Sequence, residues 1–289
     1  MKLIKQLFFF IIFIVVVFLI YCLVQFPMIE SMENMNIPKK IWTFWDSEEI
    51  PPIVQKCIDS WRTHNPDFQI IVLNKDNVYS YLPEFPVNLK HGDNPAHFSD
   101  MVRINILAKY GGIWSDASII CYGSYEWILK LQKEKEIEFI GYWINNDTED
   151  FPVIENWFFA AIPESNMMID WKNELMKSQE YEEKEYYIDY LKSTCNLEHI
   201  DDPNYLWMHA ALQKILQENK GKYKYEVFSA HTGPFKFVSD NNWHHKDGID
   251  SLIHCNKKKT CKDKYGCFVK LTGELRMKLE EMDYEELFK

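Results

Sequence analysis

The chain has 289 residues, 43 acidic and 32 basic side chains, and a formal net charge of −11. Hydrophobic residues at 47% and aromatics at 16% exclude a disordered chain, and 10 Gly with 12 Pro exclude a collagen-like or low-complexity one. A net charge of −11 also argues against nucleic acid as a partner, since it repels phosphate unless cations are concentrated locally.

The first feature in chain order is an apolar run. All 18 residues from Leu7 to Val24 are aliphatic, aromatic or Cys. As a helix they rise about 27 Å, close to the roughly 30 Å of a bilayer core. Lys2 and Lys5 precede the run and no acid occurs before Glu30, the pattern of a cytoplasmic N-terminus. A cleaved signal peptide would have a shorter apolar core and a small-x-small site, and Tyr21 to Met32 offers none. The reading is a tail (1–6), a transmembrane signal anchor (7–24), a stem (25–36) and one large domain (37–289). It predicts a single-pass type II membrane protein, contacting lipid through the anchor. Its domain would face a Golgi- or ER-like lumen or the extracytoplasmic side. Residues 1–36 hold two Lys and two Glu, so the domain keeps the whole −11.

Lys39–Trp45 is rich in β-branched and aromatic residues and predicts a strand. Pro51-Pro52 opens a helix carrying Ile53, Val54, Cys57, Ile58 and Trp61, which Pro66 stops. Gln69–Leu73 predicts a short buried strand. This strand-helix-strand order marks an α/β sheet. Ala96–Tyr110 predicts a second helix, stopped by Gly111-Gly112, and Ile113-Trp114 starts a strand. Glu138–Ile144 and Asn156–Ile162 read as further strands. Helical patterns follow at Asn166–Lys177, Tyr186–Ser193, Tyr205–Glu218 and Leu271–Phe288.

Six of the seven Cys lie outside the apolar run. In a lumen they are compatible with up to three disulfides of open connectivity. Cys255, Cys261 and Cys267, with His244 and His245 nearby, lack the close CxxC pairs of structural zinc sites, so a local disulfide is expected over zinc. Asn146-Asp147-Thr148 is the sole N-glycosylation sequon, usable only in a secretory lumen.

The chemistry concentrates between Ala96 and Cys121. From Phe98 to Ala108 the only charges are Asp100 and Arg103, three apart and hence on one helix face. They read either as a buried structural ion pair or as a polar pair aimed into a pocket. Asp116 follows a short strand, where α/β sheets bind ligands, or simply caps that strand end.

These residues resemble the capsular polysaccharide synthesis proteins and related DXD-region glycosyltransferases of GT-A type. The opening Ile37-Pro38-Lys39-Lys40-Ile41-Trp42-Thr43-Phe44-Trp45 matches the first motif. The second stands as Ser99-Asp100, Arg103, Leu107 and Tyr110-Gly111-Gly112, and the third as Ile113-Trp114-Ser115-Asp116-Ala117-Ser118. The likeness is good over about residues 37–165 and looser beyond. It implies a GT-A-like, Rossmann-like mixed α/β sheet flanked by helices, and transfer of a sugar from a UDP- or GDP-sugar to a glycan or polysaccharide hydroxyl. The resembled families are largely retaining. The resemblance also implies a divalent cation, Mn²⁺ or Mg²⁺, held by Asp116 and Ser118 with His244 or His245 completing the shell. Asp100, Arg103 and Asn156 would hold the donor sugar and phosphate, Lys236 the diphosphate, and Trp42, Phe44 or Trp45 the base. Packing and surface roles are the rival uses for these aromatics, His244, His245 and Lys236. Ser118 stands where DXD has its second acid, which weakens the metal site and leaves an inactive sugar-nucleotide-binding protein as the alternative. The Thr232-Gly233-Pro234 turn resembles a late motif of the same family. An anchored structural surface protein is a further alternative, and the absence of HExxH speaks against a zinc peptidase.

Overall fold

The first strand, β1 (Lys40–Phe44), has the predicted composition and lies inside a six-stranded sheet ordered β2-β1-β3-β6-β5-β7. Its partners are β2 (Gln69–Leu73), β3 (Gly112–Ser115), β5 (Phe139–Asn145), β6 (Val153–Ala161) and β7 (Tyr225–Ser229). A separate ribbon pairs β4 (Ile119–Cys121) with β8 (Phe268–Lys270). The computed structural model describes residues 36–145, 151–280 and 284–288, and residues 37–289 form one unit.

β1 runs parallel to β2 and β3, β6 runs antiparallel to β3 and β5, and β5 is parallel to β7. The carboxyl ends of β1, β2, β3, β5 and β7 therefore share one sheet edge with the start of β6. That edge is where a mixed α/β sheet offers a ligand crevice.

The longer helices are α1 (Pro52–His64), α2 (Pro95–Tyr110), α3 (Glu126–Lys135), α4 (Asn166–Met176), α5 (Lys184–Thr194), α6 (Trp207–Glu218), α7 (His245–Lys257) and α8 (Gly273–Glu280). The expected mixed α/β sheet flanked by helices is present. Helix α2 is capped by Asn94, whose side chain accepts from the Ala96 N–H, and begins with Pro95 at its first turn. Residues on every side of it are buried, as befits a helix enclosed by its neighbours. It ends at Gly111 (φ 58°) and Gly112 (φ 100°). A Cβ on Gly111 would meet the Pro163 nitrogen at 2.5 Å and one on Gly112 the Lys40 carbonyl at 2.9 Å. Two glycines thus let the chain turn straight from α2 into β3, which brings the face of α2 bearing Asp100 and Arg103 over the end of β3.

The predicted elements through residue 162 occur within a few residues of their expected bounds. Helices α3 and α7 and strands β4, β7 and β8 are additions. β4 and β8 have three residues each, too few to show a period, and edge strand β7 is half-buried throughout, so it lacks alternation. Of the expected long C-terminal helix the described residues show α8 and, at Glu285–Leu287, a 3₁₀ turn. Cys255 pairs with Cys261, while Cys57, Cys121, Cys195 and Cys267 are free thiols. The local disulfide expected among these cysteines is thus present, and among the described residues no three His, Cys, Asp or Glu side chains gather to hold a metal. Among the same residues no helix is long and apolar enough to cross a membrane. The 7–24 run, the stem up to residue 35 and the Asn146 sequon lie outside them.

Candidate active site

At the carboxyl edge of β1 and β3 lies a cleft of about 380 Å³. Phe44, Trp45, Ser99, Arg103, Asp116, Ser118, Lys270 and Arg276 are the lining residues that matter here. Its volume suits a small-molecule site.

Arg103 organises the inner wall. It is 5% exposed. Its guanidinium donates to the Asn156 carbonyl at 2.6 Å and to Ser99 Oγ at 3.0 Å. It lies 3.5 Å from Asp100 and 3.4 Å from Asp116, over the face of Trp114. Asp100 accepts from Asn156 Nδ2 at 2.9 Å and from Trp207 Nε1 at 2.8 Å. Burial pushes the Asp100 carboxyl above its ordinary range, opposed by Arg103 and the Trp207 hydrogen bond. Strands β3 and β6 with helices α2 and α6 therefore converge on one network.

Asp116 continues directly from β3, its N–H donating to the Trp157 carbonyl at 2.8 Å. Its side chain is 26% exposed, so it faces the cleft. It accepts from Trp114 Nε1 at 3.1 Å and from Lys270 Nζ at 3.1 Å. Burial pushes its carboxyl up, but Lys270, Arg103 and the Trp114 hydrogen bond outweigh this and hold it below the ordinary range.

Lys270 carries no signal in the sequence, yet it fills the centre of the constellation. Its Nζ also donates to Ser118 Oγ at 2.8 Å. Ser118 Oγ in turn donates to the Leu271 carbonyl at 3.1 Å. The pairing of β8 with β4 places Lys270 opposite Ile119, and the Lys270 N–H donates to the Pro234 carbonyl at 3.1 Å. The Thr232-Gly233-Pro234 turn therefore supports the strand that delivers this lysine. Arg276, on α8, packs over the Trp45 ring at 5.1 Å and adds a further cation to the lining.

The structure thus unites Asp100, Arg103, Asn156, Asp116 and Ser118, and puts Phe44 and Trp45 on the cleft wall. Phe44 packs on Phe98 at 5.4 Å. Six expected residues do not line the cleft: Asp100 and Asn156 lie behind its wall in the network around Arg103, and the other four lie apart from that network. Trp42 is fully buried between Tyr81 and Tyr110, its Nε1 donating to the Gly111 carbonyl, so its faces are not open to a base. Lys236 pairs with Asp240 one helical turn away. His244 is 74% exposed beside Asp247, and His245 faces Glu274.

The divalent cation does not fit this donor set. The space between Asp116 and Ser118 is held by an ammonium that hydrogen-bonds both. Asp46, the other carboxylate on the cleft wall, is paired with Lys75 at 2.9 Å. A metal ion there would meet one carboxylate, one hydroxyl and a positive charge at contact distance.

A family model described as capsular polysaccharide synthesis protein matches residues 24–264. The O-glycosyltransferase braB of Annulohypoxylon truncatum is 32% identical over a stretch covering 46% of this chain and 36% of that protein. The match therefore spans little more than a third of the relative's own length. Among solved structures, the glycosyltransferase GlyE of Streptococcus pneumoniae TIGR4 is similar at 12% identity and a TM-score of 0.43, over 88% of this chain and 62% of that one. The ligand-free glycosyltransferase domain of the YGT toxin is similar at 10% identity and a TM-score of 0.42, over 88% and 96% of the two chains. These structural likenesses are distant and decide nothing about the site. The family match takes in most of the sequence: this chain belongs to the capsular polysaccharide synthesis protein family.

Proposed function

We propose that this protein is a glycosyltransferase with a GT-A-like domain, taking a sugar from a nucleoside-diphosphate donor to a hydroxyl of a glycan or polysaccharide. The observation that carries the reading is the cleft at the carboxyl edge of the sheet. There Arg103 and Lys270 flank Asp116 and Arg276 lines the same cleft, in a chain whose net charge is −11. Such a cluster meets the local-cation condition that an anionic donor sets.

In this reading Trp45 and Phe44 flank the donor base, and Asp116 accepts hydrogen bonds from donor hydroxyls. The anomeric C–O bond to the diphosphate breaks, with its electron pair staying on the diphosphate. The acceptor oxygen forms the new bond and its proton passes to the departing diphosphate. Lys270 and Arg276 stabilise the charge that develops there, the kind of electrostatic help that dominates such transfers. Retention of the anomeric configuration rests on the family resemblance.

The test is to incubate the full chain with a panel of UDP- and GDP-sugars and candidate acceptor glycans, following the product by anomeric NMR. Transfer that is lost in Asp116→Ala is the expected result. Saturable donor binding without turnover for any donor would leave a sugar-nucleotide-binding protein instead, the reading that Ser118 in place of an acid keeps open. An inverted anomer would reject retention alone.

The type II anchor and the lumenal or extracytoplasmic placement of the domain belong to the same proposal, supported by the apolar run of residues 7–24 behind Lys2 and Lys5. Expressed in a eukaryotic secretory cell, the chain should sediment with membranes after carbonate washing. It should also carry an endoglycosidase-sensitive mass increment that Asn146→Gln removes. Recovery in the carbonate-soluble fraction would rule out the anchor, and an unglycosylated membrane form would rule out lumenal placement of residue 146.

A further inference from the structure

The Lys270 side chain is only 11% exposed, and three backbone ties fix the segment around it. These are the Ile119 register of β8, the bond to the Pro234 carbonyl, and the exchange between Leu271 and Ser118. A long side chain that would otherwise sample many rotamers is thereby held at one point of the cleft. An ammonium has three donors. Two go to Asp116 and Ser118, and the third remains for a group in the cleft that Lys270 lines. Ser118 is matched to this arrangement. Its hydroxyl accepts from the ammonium and donates its own O–H to the Leu271 carbonyl, an arrangement that a carboxylate at 118 could not make.

We propose that Lys270 is the donor-binding cation of this site, standing where a DXD site holds its divalent ion, so that the chain binds the diphosphate of its donor without a metal. The inference rests on the glycosyltransferase reading above. Asp116 and Ser118 then act as positioning residues for the ammonium, and Arg103, held by its buried partners, and Arg276, packed on Trp45 beside Glu280, complete a cationic floor for the phosphates. Such a floor is preorganised, because its charges are in place before the ligand arrives.

The experiment is isothermal titration of the full chain with UDP and with GDP, in EDTA and in Mn²⁺. The wild type is compared with Lys270→Met, Lys270→Arg and the double variant Ser118→Asp/Lys270→Met, each checked for an intact melting transition. The nucleotide that binds should do so in EDTA within about twofold of its affinity in Mn²⁺. Lys270→Met should weaken it about tenfold or more, and Lys270→Arg should stay within about threefold of wild type. The double variant, which rebuilds an acid pair and removes the ammonium, should bind only with Mn²⁺. Wild-type binding lost in EDTA and restored by Mn²⁺ would overturn the proposal, as would unchanged binding by folded Lys270→Met. If Lys270→Met does not fold, the wild-type comparison and Lys270→Arg still decide. Failure of both nucleotides to bind in either buffer would overturn the glycosyltransferase reading itself, and this inference with it.

Discussion

Replacing Arg103 by Met should lower the folding stability by about 3–5 kcal/mol, the usual cost of removing one partner from a buried ionic network. The expected readout is a fall in the urea midpoint with an unchanged slope. The side chain serves four groups at once: the Asn156 carbonyl, the Ser99 hydroxyl, and the Asp100 and Asp116 carboxylates. Met fills much of the volume but leaves Asp100, 5% exposed, without its counter-charge. Burial already pushes the Asp100 carboxyl up with Arg103 present. A carboxyl whose folded pKa is raised binds more protons folded than unfolded, so its ionisation costs stability as the pH rises above the ordinary value of 3.8. The deficit of Arg103→Met should therefore be smallest in acid and grow through that range. Adding Asp100→Asn should recover part of the loss, because the stranded charge is gone. Lys at 103 keeps the charge but lacks the planar fork that reaches Asn156 and Ser99 together, and should recover only part. A loss below about 1 kcal/mol for Arg103→Met would show that the network is not what holds α2 against β3 and β6.

The same network shows what a sequence can and cannot reveal. Asp100, Arg103, Gly111, Gly112 and Asp116 lie within one short stretch, where helix periodicity, a glycine stop and a strand end follow each other without interruption. Each signal is local, so their convergence was legible from residue order. Trp42 shares a strand face with Phe44, and alternation alone does not say which residue stands at the rim. Only the end of β1 reaches the carboxyl edge, so Phe44 and Trp45 line the cleft while Trp42 packs inside. Lys270 was illegible for a different reason. It sits in a three-residue strand, 154 residues from Asp116, and its place follows from pairing with β4 rather than from any pattern of its own. Trp207 reaches Asp100 across a similar gap of 107 residues. His244 and His245 are eligible as ligands by residue type, because the sequence carries no clear start signal for α7, the helix they open. That helix leaves His244 in solvent and turns His245 to Glu274.

Asp116→Asn should reduce sugar transfer by about 10²–10³-fold, in the range seen when one preorganised polar group of a catalytic site is removed. The amide keeps the shape of the side chain, so the fold should survive. The site is also partly exposed, which lets water satisfy groups left unpaired. Three donors converge on the carboxylate: Trp114 Nε1, Lys270 Nζ and the Arg103 guanidinium. An amide has one acceptor oxygen, and its NH₂ would face at least one of those donors. The two cations therefore lose their common anchor, and a donor hydroxyl loses an ionised partner. Titrating Asp116→Asn with UDP and with GDP separates this role from metal ligation. The looser hold on Lys270 and the removal of a negative charge beside the diphosphate act in opposite directions, so UDP or GDP affinity should change by no more than about threefold while turnover falls far more. A metal-ligand role predicts that both fall together. The pH dependence follows from the same contacts. Because Lys270, Arg103 and Trp114 together outweigh burial, the folded carboxyl titrates below 3.8. Its contribution to stability is then fully present above that value and is lost as the pH falls through the depressed one. Transfer by the wild type should accordingly show no acid limb from Asp116 between about pH 5 and 8. More than about a tenth of wild-type turnover in Asp116→Asn would remove this carboxylate from the reaction and leave it as a tether for Lys270 alone.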